Sequence, residues 1–181
     1  MAAPAIDAPS CSREQRLERM IQQDYRLIWR LLRRLGVSTD SVDDACQQVF
    51  LIAAERLDDI RENSERAFVF GTALRIAQSV RRRHAREPAS DESDLSASPL
   101  PGPDELAEQK RARELLDRAL DEIPLELRTV FILFELEGLT SPEIAQIVGV
   151  PLGTVASRLR RGREKFREIV ERHQQARGVS R

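Results

Sequence analysis

Residues 138–167 read GLTSPEIAQIVGVPLGTVASRLRRGREKFR, and the chain is best read outward from this stretch. Thr140 stands at a helix N-cap position and Glu143 lies three residues on, the spacing of a capping box. Leu139 and Ile144 take the flanking positions of a hydrophobic staple. Ile144, Ala145, Ile147 and Val148 form the apolar side of a short helix. Gly149 ends it, because glycine takes a left-handed backbone without steric penalty. Pro151 then presets the start of a second helix, where a missing N–H is harmless.

The second helix can be phased at about 100° per residue. Val155, Leu159, Gly162, Phe166 and Ile169 fall on one side and are expected in the core. Ser157, Arg160, Arg161 and Glu164 fall opposite, with Thr154 and Ala156 on the flanks. An outward face of Ser and paired Arg suits the DNA major groove. Arginine forks match guanine O6 and N7, and Ser can donate to or accept from several base edges. An amphipathic helix with a solvated basic face would show the same pattern in isolation. The capped helix, glycine turn and proline-started helix together favour a helix-turn-helix.

Composition sets outer bounds. The 181 residues suffice for one domain or two small ones. Charged residues make up 33% and aromatics 4%, which suits helices rather than a β-sandwich. The net charge of −1 is unlike the basic signature of a free-standing nucleic-acid binder. Charge is segregated, however: residues 87–108 hold acids and no Lys or Arg, whereas 81–86 and 158–167 are densely basic. Cys11 and Cys46 have no metal-ligand or CxxC spacing, and Cys46 is expected as a small buried hydrophobe. The first residues resemble no secretory signal, and no run is apolar enough to span a bilayer. A cytoplasmic location follows as the expectation.

In chain order, residues 1–11 are expected to be a disordered tail. A helix is expected over 12–35, with Leu17, Met20, Ile21, Leu27, Ile28, Leu31, Leu32 and Leu35 at helical spacing and Gly36 ending it. The next, over 41–57, turns Val42, Ala45, Cys46, Val49, Phe50, Ala53 and Leu57 inward. Leu51 points away, ringed by Asp44, Gln47, Gln48 and Glu55, and an apolar centre with a polar rim is the anatomy of a docking patch. A third helix ends near residue 86, with Phe68, Thr72, Ala73, Ile76, Ala77 and Val80 inward. Arg75, Arg81, Arg82, Arg83 and Arg86 add positive charge to it, and such a helix can follow phosphates while apolar and polar neighbours hold unstacked bases. Residues 87–103 carry Pro, Ser, Gly and acids without periodicity and read as an acidic flexible linker. The last unit, 104–172, opens with a helix carrying Leu106, Leu115, Leu116, Ala119 and Leu120. Leu127, Val130, Phe131, Phe134 and Leu136 are expected inside the next, and a tail is expected over 173–181. The expected fold is therefore all-α: two small helical domains, the C-terminal one a helix-turn-helix.

Two separated stretches resemble one family. LDRALDEIPLELRTVFILFELEGLTSPEIAQIVGVPLGTVASRLRRGREKFR, with its hallmark run 153–159, is similar to the C-terminal DNA-binding domain of extracytoplasmic-function sigma factors. DDACQQVFLIAAERL resembles the segment of that family that docks on the clamp helices of the largest RNA polymerase subunit. FVFGTALRIAQSVRRR resembles its promoter-melting segment, with Phe68 for the usual Trp, Arg75 where Asn is common and Ser79 where Asp is common. The resemblance implies a sigma domain 2 over 12–86 and a sigma domain 4 over 104–172. It implies polymerase docking through Asp44, Gln47, Gln48 and Leu51, and −10 recognition and melting through Arg75, Ser79, Arg82 and Arg83. It implies −35 reading through Thr154, Ala156, Ser157, Arg158, Arg160 and Arg161; Ala156 stands where the family often has a charged reader. The loop over 57–66 would help to hold a flipped −10 base. The implied partners are core RNA polymerase, promoter DNA and, in many members, an anti-sigma factor that covers both domains.

A helix-turn-helix regulator acting without polymerase is the alternative. A single helix-turn-helix, no dimerisation heptad and an acidic total charge weigh against it. No nucleophile triad, phosphate loop or metal-ligand cluster is visible, so neither catalysis nor a cofactor is expected.

Overall fold

The computed structural model describes residues 12–84 and 103–178; the expected N-terminal tail, Arg86, nearly all of the expected linker and residues 179–181 lie outside them. The described residues are helical, with no strand among them.

The first helix, α1 (Arg13–Arg34), starts on a reciprocal cap in which Ser12 Oγ accepts from Gln15 N and Gln15 Oε1 accepts from Ser12 N. Gly36, at φ +89°, turns the chain out of it. The second, α2 (Thr39–Glu55), buries six of the residues phased inward, from Val42 through Ala53, and the seventh, Leu57, is buried just beyond its end. A short 3₁₀ turn (Leu57–Asp59) leads through a polar loop to α3 (Glu65–His84). The three helices pack on one another around Ile28, Leu31, Leu32, Val49, Phe70 and Ala73. Ile21 departs from the sequence expectation: it is 37% exposed, one turn from the equally exposed Tyr25. Asp24 is buried instead, 3.9 Å from Arg66 Nε, and burial pushes its carboxyl up from the usual range.

The second half holds α4 (Pro103–Glu122), α5 (Leu125–Phe131), α6 (Ser141–Val148) and α7 (Leu152–Gly178). Between α5 and α6 the helix continues as one π turn, Ile132–Leu136. It closes with Gly138 at φ +68° and a bond from Leu139 N to Leu133 O, which satisfies a terminal carbonyl. The wider turn shifts the helical phase. Leu136, expected inside, is half-buried, whereas Ile132 and Leu133 are fully buried. The tail expected from residue 173 is also corrected, because α7 runs on to Gly178. Arg172 and His173 both reach Glu122 at the end of α4, the imidazole Nε2 lying 2.6 Å from Oε1, and this anchors the extra turn.

The two halves touch. Helix α3 packs on α6 and α1 reaches α4, so that one apolar core runs through both. Phe70 and Leu74, which the helical phase of α3 left out of its inner stripe, are nevertheless buried.

Candidate nucleic-acid interface

The geometry of the helix-turn-helix follows from its local chemistry. The Glu143 carboxylate accepts from both the backbone N–H and the hydroxyl of Thr140, at 2.7 and 2.6 Å, and these bonds hold it below the ordinary glutamate range. Leu139 and Ile144 are both buried, as a staple requires. Gly149 takes φ +72°, ψ 36°, and its N–H and that of Val150 both bond Ala145 O. On α7, Val155, Leu159, Gly162 and Ile169 are buried, and Phe166 stacks on Phe131 with ring centroids 5.0 Å apart. Gly162 lies where α7 presses hardest on α5: a Cβ there would stand 3.3 Å from Leu127 O and 3.4 Å from Phe131 Cβ.

The opposite face of α7 presents Ala156, Ser157, Arg160 and Arg161 to solvent, with Thr154 half-buried beside them. Ser157 Oγ donates to Thr154 O at 3.0 Å, so in this rotamer the hydroxyl offers an incoming base only its lone pairs. Arg160 pairs with Glu164 one turn on, at 2.7 Å. Arg161 makes no ion pair with any described residue. Arg158 is half-buried and held at 2.7 Å by Glu126 of α5. Arg163 is outside the expected set. It is exposed, bonded to Glu135 at 2.6 Å, and sits 5.2 Å over the Phe134 ring. Its partners come from the π turn and are invisible to the spacing along α7. Leu152, at the first position of α7, is 52% exposed, and only its apolar character in a turn could have marked it.

In the other half, α2 turns Asp44, Gln47, Gln48 and Leu51 to solvent, with Leu51 56% exposed. Beneath them Cys46 is fully buried, and burial pushes its thiol up to about 11, with the Asp43 charge adding to the shift. Asp43 accepts from Trp29 Nε1 at 2.9 Å, and Tyr25 stacks on Phe50 at 6.0 Å, so the platform behind the patch is tied to α1.

On α3, Arg75, Ser79, Arg82 and Arg83 are all exposed, and Arg75 donates to Thr72 Oγ1 at 3.2 Å. Arg81, the first of the arginine triplet, is half-buried and donates to Leu35 O at 3.1 Å. The loop before α3 is stapled by Arg16, which donates to Glu65 Oε1, Leu57 O and Ile60 O at 2.8, 3.2 and 2.6 Å. A cleft of about 300 Å³ opens between this loop and α1, lined by Arg16, Asp24, Asn63 and Arg66 among others. Asn63 stands at its rim with φ 65°, a conformation Asn tolerates better than most residues. No group of His, Cys, Asp or Glu among the described residues could hold a metal ion, and no described helix is long and apolar enough to cross a membrane.

Both halves have relatives. Residues 20–87 match the family model of Sigma-70 region 2, and residues 113–166 match that of Sigma-70, region 4. The ECF RNA polymerase sigma-E factor of Escherichia coli K12 is 30% identical over 146 residues, covering 75% of this chain and 76% of that protein. The ECF RNA polymerase sigma factor SigE of Mycolicibacterium smegmatis is 26% identical over 159 residues, 86% of this chain; the chain spans 62% of that longer relative. Among solved structures, the sigma factor RpoE in complex with the anti-sigma factor NepR from Bartonella quintana superposes with TM-score 0.73 at 20% identity, over 87% of this chain and 98% of that one. CnrH in complex with the cytosolic domain of CnrY gives TM-score 0.68 at 21% identity, over 87% and 89%. At such identities the structural likeness is one of fold, but the sequence match along both halves, in the same order, goes further. This chain belongs to the extracytoplasmic-function sigma factors, the proteins of promoter-specific transcription initiation.

Proposed function

We propose that the chain binds core RNA polymerase through α2 and directs it to promoters whose −10 and −35 elements are read by α3 and α7. One observation carries this reading: an exposed leucine ringed by amides and an acid on α2 shares a chain with an outward Ser/Arg face on a capped helix-turn-helix. A regulator acting alone has use for the second feature and none for the first.

Each residue then has a role. Leu51 is the apolar centre of the docking patch, and Asp44, Gln47 and Gln48 supply hydrogen bonds at its rim. Arg82 and Arg83 neutralise phosphates of the melting strand, with Arg75 and Ser79 further along the same helix. The cleft beside Asn63 has the polar lining and open mouth that an unstacked base requires. Arg160 and Arg161 face base edges, with Ser157 as an acceptor and the Ala156 methyl offering only an apolar contact, as to thymine. Thr154 and Arg158 serve the backbone, since Arg158 is already turned toward α5. Catalysis of phosphodiester synthesis stays with the polymerase, so the protein needs neither cofactor nor metal and works in the cytoplasm. An anti-sigma factor, the class of partner bound to RpoE, belongs to the same reading.

The test is transcription by core polymerase plus this protein from a library randomised at −35. Arg161→Ala should relax the preference at one position, by about 1–3 kcal/mol of discrimination. Arg158→Ala should weaken all promoters alike. A preferred sequence altered by Arg158→Ala but untouched by Arg160→Ala and Arg161→Ala would reverse the assignment. Absence of any start-site selection by the wild-type protein would sink the sigma reading itself.

A further inference from the structure

Two glycines of α7 differ in what the fold asks of them. Gly162 is bare because α5 leaves no room for a side chain. Gly153, in the first turn, has no such reason: beyond its chain neighbours and its own helix, a Cβ there would meet no atom within 4 Å. Nor is its backbone left-handed, since the positive-φ glycines among the described residues are Gly36, Gly138 and Gly149. A glycine inside a helix weakens it relative to alanine. Nothing within the chain offsets that cost at Gly153. The reason for the empty position lies outside the chain, in a body that comes close to the helix backbone.

Leu152 points to the same body. It is 52% exposed and stands apart from the hydrophobic side chains that pack on the core. Its backbone is held by the turn it sits in, because Thr154 N and Val155 N both donate to Pro151 O, at 2.9 and 3.1 Å. One exposed leucine means little by itself. This one adjoins the unexplained gap, on a turn that is already fixed.

The helical phase identifies what approaches. Leu152 lies one turn before Ala156, and Gly153 falls between Ala156 and Ser157 in angle. All four are exposed. Residues 151–157 carry no charged side chain, and the first cation is Arg158. The outward face of α7 is thus divided, small and apolar over its first two turns and cationic beyond. In a helix-turn-helix, the N-terminal residues of the second helix approach base edges. An apolar, uncharged end suits the one apolar group displayed there, the C5-methyl of thymine. Arg160 and Arg161 continue the same face, and this continuity assigns the patch to DNA rather than to a hydrophobic protein surface.

We infer, resting on the −35 reading of α7 above, that Leu152 and Ala156 form a methyl-reading site for thymine, and that bare Gly153 lets the duplex come close enough for them to touch it.

The test uses holoenzyme, core polymerase with the full chain, on duplex promoters carrying the preferred −35 sequence. Each thymine of that element, on either strand, is replaced in turn by deoxyuridine, which lacks only the methyl. At one position or two adjacent ones the wild type should bind about fourfold more weakly, the effect of leaving one methyl group unburied. Leu152→Ala should weaken binding to the thymine duplex and abolish its advantage over the uracil duplex. Its melting temperature and its affinity for core polymerase should be unchanged. Gly153→Ala should separate stability from binding. The fold should melt no lower than the wild type, since the added methyl enters open space, whereas promoter binding should fall about tenfold. A purely structural glycine would move both in the same direction. A preferred element with no thymine on either strand, or equal binding of thymine and uracil duplexes at every position, overturns the inference. So does a Leu152→Ala variant that loses affinity for core polymerase instead, which would give the leucine to a protein surface. A guanine preference that depends on Arg161, with no methyl effect, removes this site and leaves the −35 reading intact. No −35 preference in the wild-type holoenzyme removes both.

Discussion

Leu51→Asp is expected to weaken binding to core RNA polymerase by about 100-fold or more. At the centre of a docked patch the new carboxylate would lose water and gain no partner, at a cost of several kcal/mol, and each ~1.4 kcal/mol is tenfold in affinity. The same change should leave folding almost untouched. Leu51 is exposed on α2, and its neighbours in the fold, Cys46, Val49 and Phe50, face the other way. A pull-down of core enzyme together with a thermal melt separates the two effects. Retained affinity would remove α2 from the interface, whereas a large drop in melting temperature would mean that Leu51 supports the fold instead. Gln47→Ala/Gln48→Ala should have the same direction and a smaller size, since rim contacts contribute less than the centre.

Gly162→Leu should have the opposite profile, with a large loss of stability in the C-terminal half and the N-terminal half largely spared. The backbone of α7 approaches α5 so closely that even a methyl group would demand a shift of a few tenths of an ångström. A leucine cannot fit without prising the helices apart. Overpacking of this kind costs about 3 kcal/mol or more, which in a unit of this size lowers the melting temperature by about 10 °C or more. Gly162→Ala should be mild by comparison. Hydrogen exchange would locate the damage: fast exchange in α5 and α7 with α2 still protected is the expected result. Equal protection in all three helices of the leucine variant would contradict the packing described.

How far the sequence spoke for itself depended on the range of the interaction. The cap at Thr140, the turn at Gly149 and the inward stripe of α7 are set by neighbours within one or two helical turns, and all were legible. The same holds for α2, where one helix with one buried side makes phase alone sufficient. What periodicity did not convey came from contacts between distant segments. Phe70, Leu74, Ile132 and Leu133 are buried by packing between elements, Ile132 and Leu133 from within the π turn, and such packing leaves no local pattern. The arginine triplet 81–83 looks uniform in sequence, yet Arg81 turns back to Leu35 while Arg82 and Arg83 stay in solvent. Glu137 stands beside a glycine with no local pattern to mark it, and its side chain is wholly enclosed. Ile21 erred in the other direction, since an apolar residue at helical spacing need not find a neighbour.

The pairing of α7 with acids bears on how the protein meets DNA in bulk. Arg158, Arg160, Arg163 and Lys165 are each held by a carboxylate, at 2.7, 2.7, 2.6 and 2.9 Å. When such a cation moves to a phosphate, the DNA releases a counterion but the abandoned glutamate gathers one, and the two nearly cancel. The slope of log K against log salt should then fall short of the roughly 0.9 per phosphate contact that unpaired cations would give, and Glu126→Gln should steepen it by about one contact's worth. Since the chain as a whole carries a net charge of −1 besides, the protein gains little from any duplex in general. The genome's vast excess of unrelated sequence is then a weak competitor, and discrimination is left to the few groups that touch bases.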